Sequence, residues 1–280
     1  MKSYSLKTDD DYTLSVTLFE PEISNRKLLI INSATGVRQQ VYFSFAKYLT
    51  EKGFTVLTYD YRGIGQSKPG KMRGFVASMR IWGTLDYKAV TDFVQQQFHD
   101  FEKYALGHSV GALILGMNPY SHIFKKFVFV STQKAFLGNL DFRTRIFGYL
   151  GFGVVQPLTT ALFGYFPAHR FGVGESLPAG SAYDWRTLVL NRKSTNKLLE
   201  KIENDCSAAL KQEVLVIRAE DDSWLTERAV RKLMEETFPN MRPTYRLVHT
   251  AESERGEIGH INFFRTYNRK LWKMVPVFLD

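Results

Sequence analysis

The sequence predicts an α/β fold, a mostly parallel sheet covered on both faces by helices, and three observations carry that expectation. Apolar runs at Lys27–Asn32, 54–59, 126–131 and 214–219 are continuous rather than alternating, as in strands buried on both faces. Helical patterns separate most of them, and strands alternating with helices build parallel sheets through right-handed crossovers. The pentapeptide Gly107-His108-Ser109-Val110-Gly111 directly follows a further strand-like run at 103–106. That places a Gly-x-Ser-x-Gly turn between a strand and a helix.

In chain order, residues 4–7 and 12–19 alternate like the two arms of a hairpin joined at Thr8-Asp9-Asp10-Asp11. After the run at Lys27–Asn32, Phe43, Phe45, Ala46 and Leu49 recur at helical spacing until Gly53. Residues 112–116 read as the helix that follows the pentapeptide. The alternation breaks between Gln133 and Leu210, where no good strand is found, and resumes with a strand at 214–219, a helix at 226–238, a strand at 244–249 and a C-terminal helix after His260. The expected organisation is a core of residues 1–132 and 211–280, with residues 133–210 inserted as a helical lid over the working edge of the sheet.

Residues 146–166 of that insertion carry no charge and are long enough to span a bilayer. Gly148, Gly151, Gly153, Pro157 and Gly164 interrupt the stretch, which argues against one continuous helix and for a lid of short apolar helices lining an apolar pocket. A membrane surface is therefore not the expected partner.

With 44% hydrophobic and 23% charged residues in 280, the composition is that of an ordinary globular protein. The first ten residues lack the apolar core of a signal peptide and Cys206 is the sole cysteine, so a cytoplasmic address is expected and no internal disulfide. A net charge of +9 raises nucleic acid, anionic lipid and acidic small molecules as partners. Arg62, Lys68, Lys71, Arg73 and Arg80 fall in a stretch without acids. No zinc spacing or nucleic-acid-binding signature accompanies them, so nucleic acid is not expected, and the stretch reads as a solvated basic loop that could steer anionic substrates or a membrane surface toward the lid.

A serine becomes a nucleophile only with a base, an orienter for the base and donors for the oxyanion. Ser109 stands on the strand-to-helix turn, where flanking glycines leave room for strained backbone. Asp221 and Asp222 follow the strand at 214–219, and Asp222 lies at the better spacing to orient a base. Asp221 reads better as part of an acidic loop. His260 precedes the C-terminal helix, whereas its rival His249 ends the last strand too early. His99, His122 and His169 read as surface residues, and His108 as packed behind the serine. Backbone N–H groups of Val110 and, from the loop after Lys27–Asn32, Ala34 or next Thr35 are the expected oxyanion donors.

Together these residues, with Asp60-Tyr61-Arg62-Gly63-Ile64-Gly65-Gln66-Ser67, resemble the alpha/beta hydrolase fold superfamily over nearly the whole chain. Ala34-Thr35-Gly36-Val37, Gly174-Glu175-Ser176-Leu177-Pro178 and the segment from Gly259 to Arg265 look like a bacterial subgroup of predicted hydrolases without an assigned substrate. The resemblance implies an eight-stranded sheet with its second strand antiparallel, a lid inserted after the sixth, and a triad of Ser109, Asp222 and His260. Two departures stand out. Asn32-Ser33 replaces the His-Gly common at the oxyanion loop, and Ala112 replaces a second glycine after the turn.

The expected function is a serine hydrolase acting on a small acyl ester or thioester through an acyl-enzyme, without metal or organic cofactor. Acyl transfer and a silent binding protein on the same fold are the alternatives. Phe136, Phe142, Phe147, Phe152, Phe163 and Phe166 of the insertion either face an acyl substrate or form the insertion's own core.

Overall fold

The computed structural model describes residues 1–280. Ten strands form, β1 (Lys2–Lys7), β2 (Thr13–Phe19), β3 (Lys27–Asn32), β4 (Thr55–Tyr59), β5 (Glu102–His108), β6 (Lys126–Val130), β7 (Tyr165–Phe166), β8 (Leu177–Pro178), β9 (Glu213–Ala219) and β10 (Arg242–Val248). Eight of them make one sheet in the order β1-β2-β4-β3-β5-β6-β9-β10. β2 is antiparallel to both neighbours, and every pairing from β4 to β10 is parallel. The expected sheet is therefore present, second strand included.

Alternation along these buried strands sorts side chains onto two apolar layers. Leu28, Ile30, Ala105, Phe127 and Val216 face one, joined by Trp82, Val90 and Leu233 from helices on that side. Leu29, Ile31, Leu106, Val128 and Ile217 face the other, against Phe45, Leu49 and Trp272. The register pairs Asn32 with Gly107, His108 with Val130, and Val130 with Ile217, so the parallel strands end along one edge. That edge is where a parallel sheet presents its working loops.

The insertion departs from expectation in two respects. A small antiparallel pair, β7 with β8, lies inside it. More consequentially, Phe142–Phe163 is a single helix of 22 residues rather than several short ones. A widened turn at Gly151–Val155, with i to i+5 bonding, interrupts its α-helical pattern. Pro157 follows at the start of the next α-helical stretch, Gln156–Phe163, where its missing N–H does little harm. Each interior glycine costs only about 1 kcal/mol relative to alanine, too little to break a helix held by its neighbours. Gly164, in the left-handed conformation at φ 75°, ends it.

Elsewhere the elements after the serine turn and after His260 are shorter than a full helix. Val110–Leu113 is a single α-helical turn that tightens to 3-10 geometry at Ile114–Met117, and Thr266–Lys273 is 3-10 before Met274–Leu279. The basic stretch is a solvated loop only in part: Lys71 and Arg73 are exposed, but its other three cations are paired. Arg62 is buried, its Nε 2.6 Å from Asp86 and its Nη1 2.6 Å from Asp10, while Lys68 pairs with Glu175 and Arg80 with Asp184. The acids that pair with these three cations come from other parts of the chain.

Candidate active site

Ser109 sits where β5 turns into the short helix Val110–Leu113, with φ 52° and ψ −116°. A non-glycine residue in that region is strained and is held there by its surroundings. The flanking glycines permit the turn: a Cβ on Gly111 would lie 2.1 Å from the Asn32 carbonyl oxygen, and one on Gly107 would lie 2.4 Å from the Ala112 backbone. The Ser109 N–H donates to the Val130 carbonyl at 2.9 Å, and the Thr132 hydroxyl donates to the Ser109 carbonyl at 2.9 Å. The turn is thus tied to the end of β6.

Asp222 and His260 come together. The Nδ1–H of His260 donates to Asp222 Oδ2 at 2.8 Å, with the carboxylate buried and the imidazole 27% exposed. The other Asp222 oxygen accepts the Trp224 N–H at 3.0 Å, which fixes the carboxylate's plane. Asp221 does different work. Its two oxygens accept the N–H groups of Ile258 and Gly259, both at 2.9 Å, and so hold the loop that carries His260. His249 points elsewhere, onto Glu220 at 2.5 Å. His99, His122 and His169 are exposed.

Ser109, Val110, Ala34, Thr35 and His260 open onto one cavity of about 760 Å³. The inserted segment supplies much of its wall, including Phe147, Phe152 and Phe166 of the phenylalanines considered above, whereas Phe136, Phe142 and Phe163 do not line it. Arg143 is the one arginine or lysine that lines the space, and no aspartate or glutamate does. Gln133 and Gln156 also line it, and the side-chain carbonyl oxygen of each is buried without a hydrogen-bond partner.

One expectation needs correction. Ala34, the first choice for a second oxyanion donor, gives its N–H to the Tyr42 hydroxyl at 3.0 Å. The Thr35 N–H donates to no protein group and borders the same cavity. Val110 is the first helical residue, so its N–H has no intrahelical acceptor.

Tyr42 belongs to a connection that sequence reasoning missed. Its hydroxyl meets Nδ1 of His108 at 2.8 Å, and Nε2 of His108 meets the His260 carbonyl at 2.8 Å. A carbonyl only accepts, so Nε2 carries the proton and Nδ1 accepts from the Tyr42 O–H. Burial, aided by the nearby His260, holds the His108 imidazole down at about 3, so it is neutral. A buried tyrosine and a neutral histidine therefore brace the backbone of His260 from below. The only sequence trace is a histidine at the variable position of the pentapeptide.

Three comparisons with known proteins bear on this arrangement. A family model described as serine aminopeptidase, S33, matches residues 24–133, which include Ser109 but neither Asp222 nor His260. An Escherichia coli protein described as an uncharacterized 31.7 kDa protein in the traX-finO intergenic region is 29% identical over 97 residues, 35% of this chain and 32% of that one. The match thus spans about a third of that relative's length. Among solved structures, a thermostable carboxyl esterase from Bacillus coagulans superposes with TM-score 0.68 at 11% identity, covering 99% of this chain and 97% of the other. An esterase from Pyrococcus furiosus gives 0.62 at 15%, covering 99% and 88%. A bromoperoxidase from Bacillus anthracis gives 0.62 at 16%, covering 99% of each. At such identities the likeness is one of fold.

Proposed function

We propose that this chain, which has the alpha/beta hydrolase fold, is a member of that superfamily and a serine hydrolase that cleaves a carboxylic ester or thioester through an acyl-enzyme. The observation that carries the reading is the buried Asp222 carboxylate on Nδ1 of His260, with the imidazole bordering the same cavity as the strained Ser109. In the first half-reaction Ser109 Oγ bonds to the substrate carbonyl carbon while its proton passes to Nε2 of His260. The tetrahedral oxyanion accepts hydrogen bonds from the N–H groups of Val110 and Thr35. Collapse breaks the bond to the alcohol or thiol, which leaves with the proton held by His260. Water then attacks the acyl-enzyme, gives its proton to His260, and releases the acid and free Ser109. Asp222 keeps the imidazole oriented and favours its charged form in both halves.

The cavity argues for the substrate class. Its apolar wall suits an acyl chain. A free α-ammonium group would find no carboxylate there, which separates this reading from the aminopeptidase named by the family model. Residues 133–210 act in this reading as a lid over a core of 1–132 and 211–280.

The test is intact-mass labelling with a fluorophosphonate, followed by p-nitrophenyl esters of graded chain length. One adduct on the native protein, absent from Ser109→Ala and His260→Ala, is expected. A folded native protein that takes no label would overturn the reading in favour of a binding role. Adding an alcohol acceptor distinguishes acyl transfer, which would divert the acyl group from water to the alcohol.

A further inference from the structure

The inserted helix Phe142–Phe163 is inside out for a globular protein. The side it turns to the rest of the molecule carries Gly148, Phe152, Gln156 and Thr160, four buried positions at a spacing of four. Gly148 lies so close to Leu137 that a Cβ there would meet it at 2.4 Å, and the Phe152 carbonyl accepts from Arg186 Nε at 2.9 Å. The side turned to solvent carries Leu150, Val154, Leu158 and Leu162, from 48% to 67% exposed, together with Phe142, Ile146 and Phe147. A surface helix normally presents the opposite pattern, with its apolar stripe inward. An exposed apolar face of this size marks a docking surface.

Charge around the face says what docks. No acid occurs between Asp141 and Glu175. Arg143 and Arg145 stand at one end of the helix, Arg145 over the Phe142 ring. At the other end Arg73 donates to the carbonyls of Leu162 and Phe163, and Arg170 lies over the Phe163 ring. None of these four arginines is in an ion pair, unlike Arg62, Lys68 and Arg80 of the basic stretch. We infer that this face docks on the surface of a bilayer rich in anionic lipids, with the helix lying in the plane of the headgroups. Apolar side chains enter the interface while unpaired arginines meet lipid phosphates, the pattern of an interfacial helix.

Two other occupants fit less well. The helix is long enough to cross a membrane, but crossing would require stripping Gln156, Thr160 and Gly148 from the body of the protein. A two-fold contact between copies would bring the same four cations of each copy toward one another. Phe147 and Leu150 belong both to the exposed face and to the cavity wall, so an acyl chain leaving the interface would meet the cavity directly.

The test is flotation of the full chain with vesicles of phosphatidylglycerol and phosphatidylcholine in equal parts, and with phosphatidylcholine alone. The native protein is expected to float with the mixed vesicles, less at high salt, and to be released by alkaline carbonate. Leu158→Glu with Leu162→Glu, residues outside the cavity, should lower the bound fraction roughly tenfold while the melting curve is kept. Arg145→Gln should lower it on mixed vesicles only. Ser109→Ala should float like the native chain, so failure of the catalytic reading and failure of this one are distinguishable. The inference is overturned if the native protein stays free, if neutral vesicles bind it as well, or if the glutamate variant floats unchanged. It is equally overturned if carbonate fails to release the chain, or if the variant abolishes a dimer in light scattering while no flotation occurs.

Discussion

β3 and the inserted helix are alike in composition and opposite in fate. Lys27–Asn32 buries Leu28, Leu29, Ile30 and Ile31 completely between two layers of helices. Phe142–Phe163 is also rich in Phe, Leu and Val, yet it buries little more than one narrow stripe and leaves Phe147, Leu158 and Leu162 at 65–74% exposure. The small apolar cluster it joins through Phe152 adds Leu137, Leu140 and Val189, with Trp185 and Leu190 packed against them. An apolar run records that water is disfavoured. Whether protein or something else displaces that water is decided by neighbours far away in the sequence.

The largest test of the contrast removes one side chain from each region. Ile30→Ala is expected to cost about 2–5 kcal/mol in denaturant unfolding, because the vacated space lies in a packed core. Leu158→Ala should stay within about 0.5 kcal/mol, as for an exposed position. Equal losses at both sites would show that the helix face is covered within the protein itself.

Within the core, Gly111→Val places a side chain where the Asn32 carbonyl already stands and must displace the serine turn. A fall of about 10²-fold in kcat/KM is expected, since misplacement of about 1 Å has that effect. The comparison position is Gly153 in the widened helical turn, where a Cβ meets nothing. Gly153→Ala should leave ester hydrolysis within about twofold, as befits a surface change.

Acid should expose the next difference. Because burial lowers His108 from 6.5 to about 3, the unfolded chain takes up a proton between those values that the folded chain refuses. Stability is therefore fullest above 6.5 and declines as pH falls toward 3, by about 2 kcal/mol from pH 7 to pH 5 for this one group. Chemical denaturation of the native protein and of His108→Gln across that range checks it: the variant should lose correspondingly less. A more modest loss is expected from Tyr42→Phe, which leaves His108 Nδ1 and the Ala34 N–H without their partner. A kcat about tenfold lower with KM unchanged would fit a positioning role, whereas a changed KM alone would point to the cavity instead.

The legible parts of this molecule were those with a local signature. Continuous apolar runs gave away β3, β4, β6 and β9, and the glycines of the serine turn announced a place with no room for a Cβ. Asp222 was recognisable because it lies just past the end of β9, and His260 because it falls between the last strand and the C-terminal helical segment. What was hidden depends on partners brought in by the fold. Nothing near Ala34 shows that a hydroxyl eight residues on will take its N–H. Nothing near Arg62 names Asp10 and Asp86 as its neighbours. Asp221 looked like an acidic loop residue until the Ile258 and Gly259 amides were seen resting on it. The glycines and proline of the insertion argued correctly for irregularity, but the irregularity is one wide turn and not a break.

That wide turn sets the phase of the inserted helix. Residues four apart drift by about 40° around an ideal α-helix, so the buried series Gly148, Phe152, Gln156, Thr160 and the exposed series Leu150, Val154, Leu158, Leu162 would both spiral away from their faces. The extra residue taken up at Gly151–Val155 turns the second half of the helix back into line with the first. Deleting a single residue there would keep the composition and most of the helicity, yet rotate Leu158 and Leu162 by about 100° relative to Leu150. The two surfaces of this helix are thus encoded less by which residues it contains than by how many.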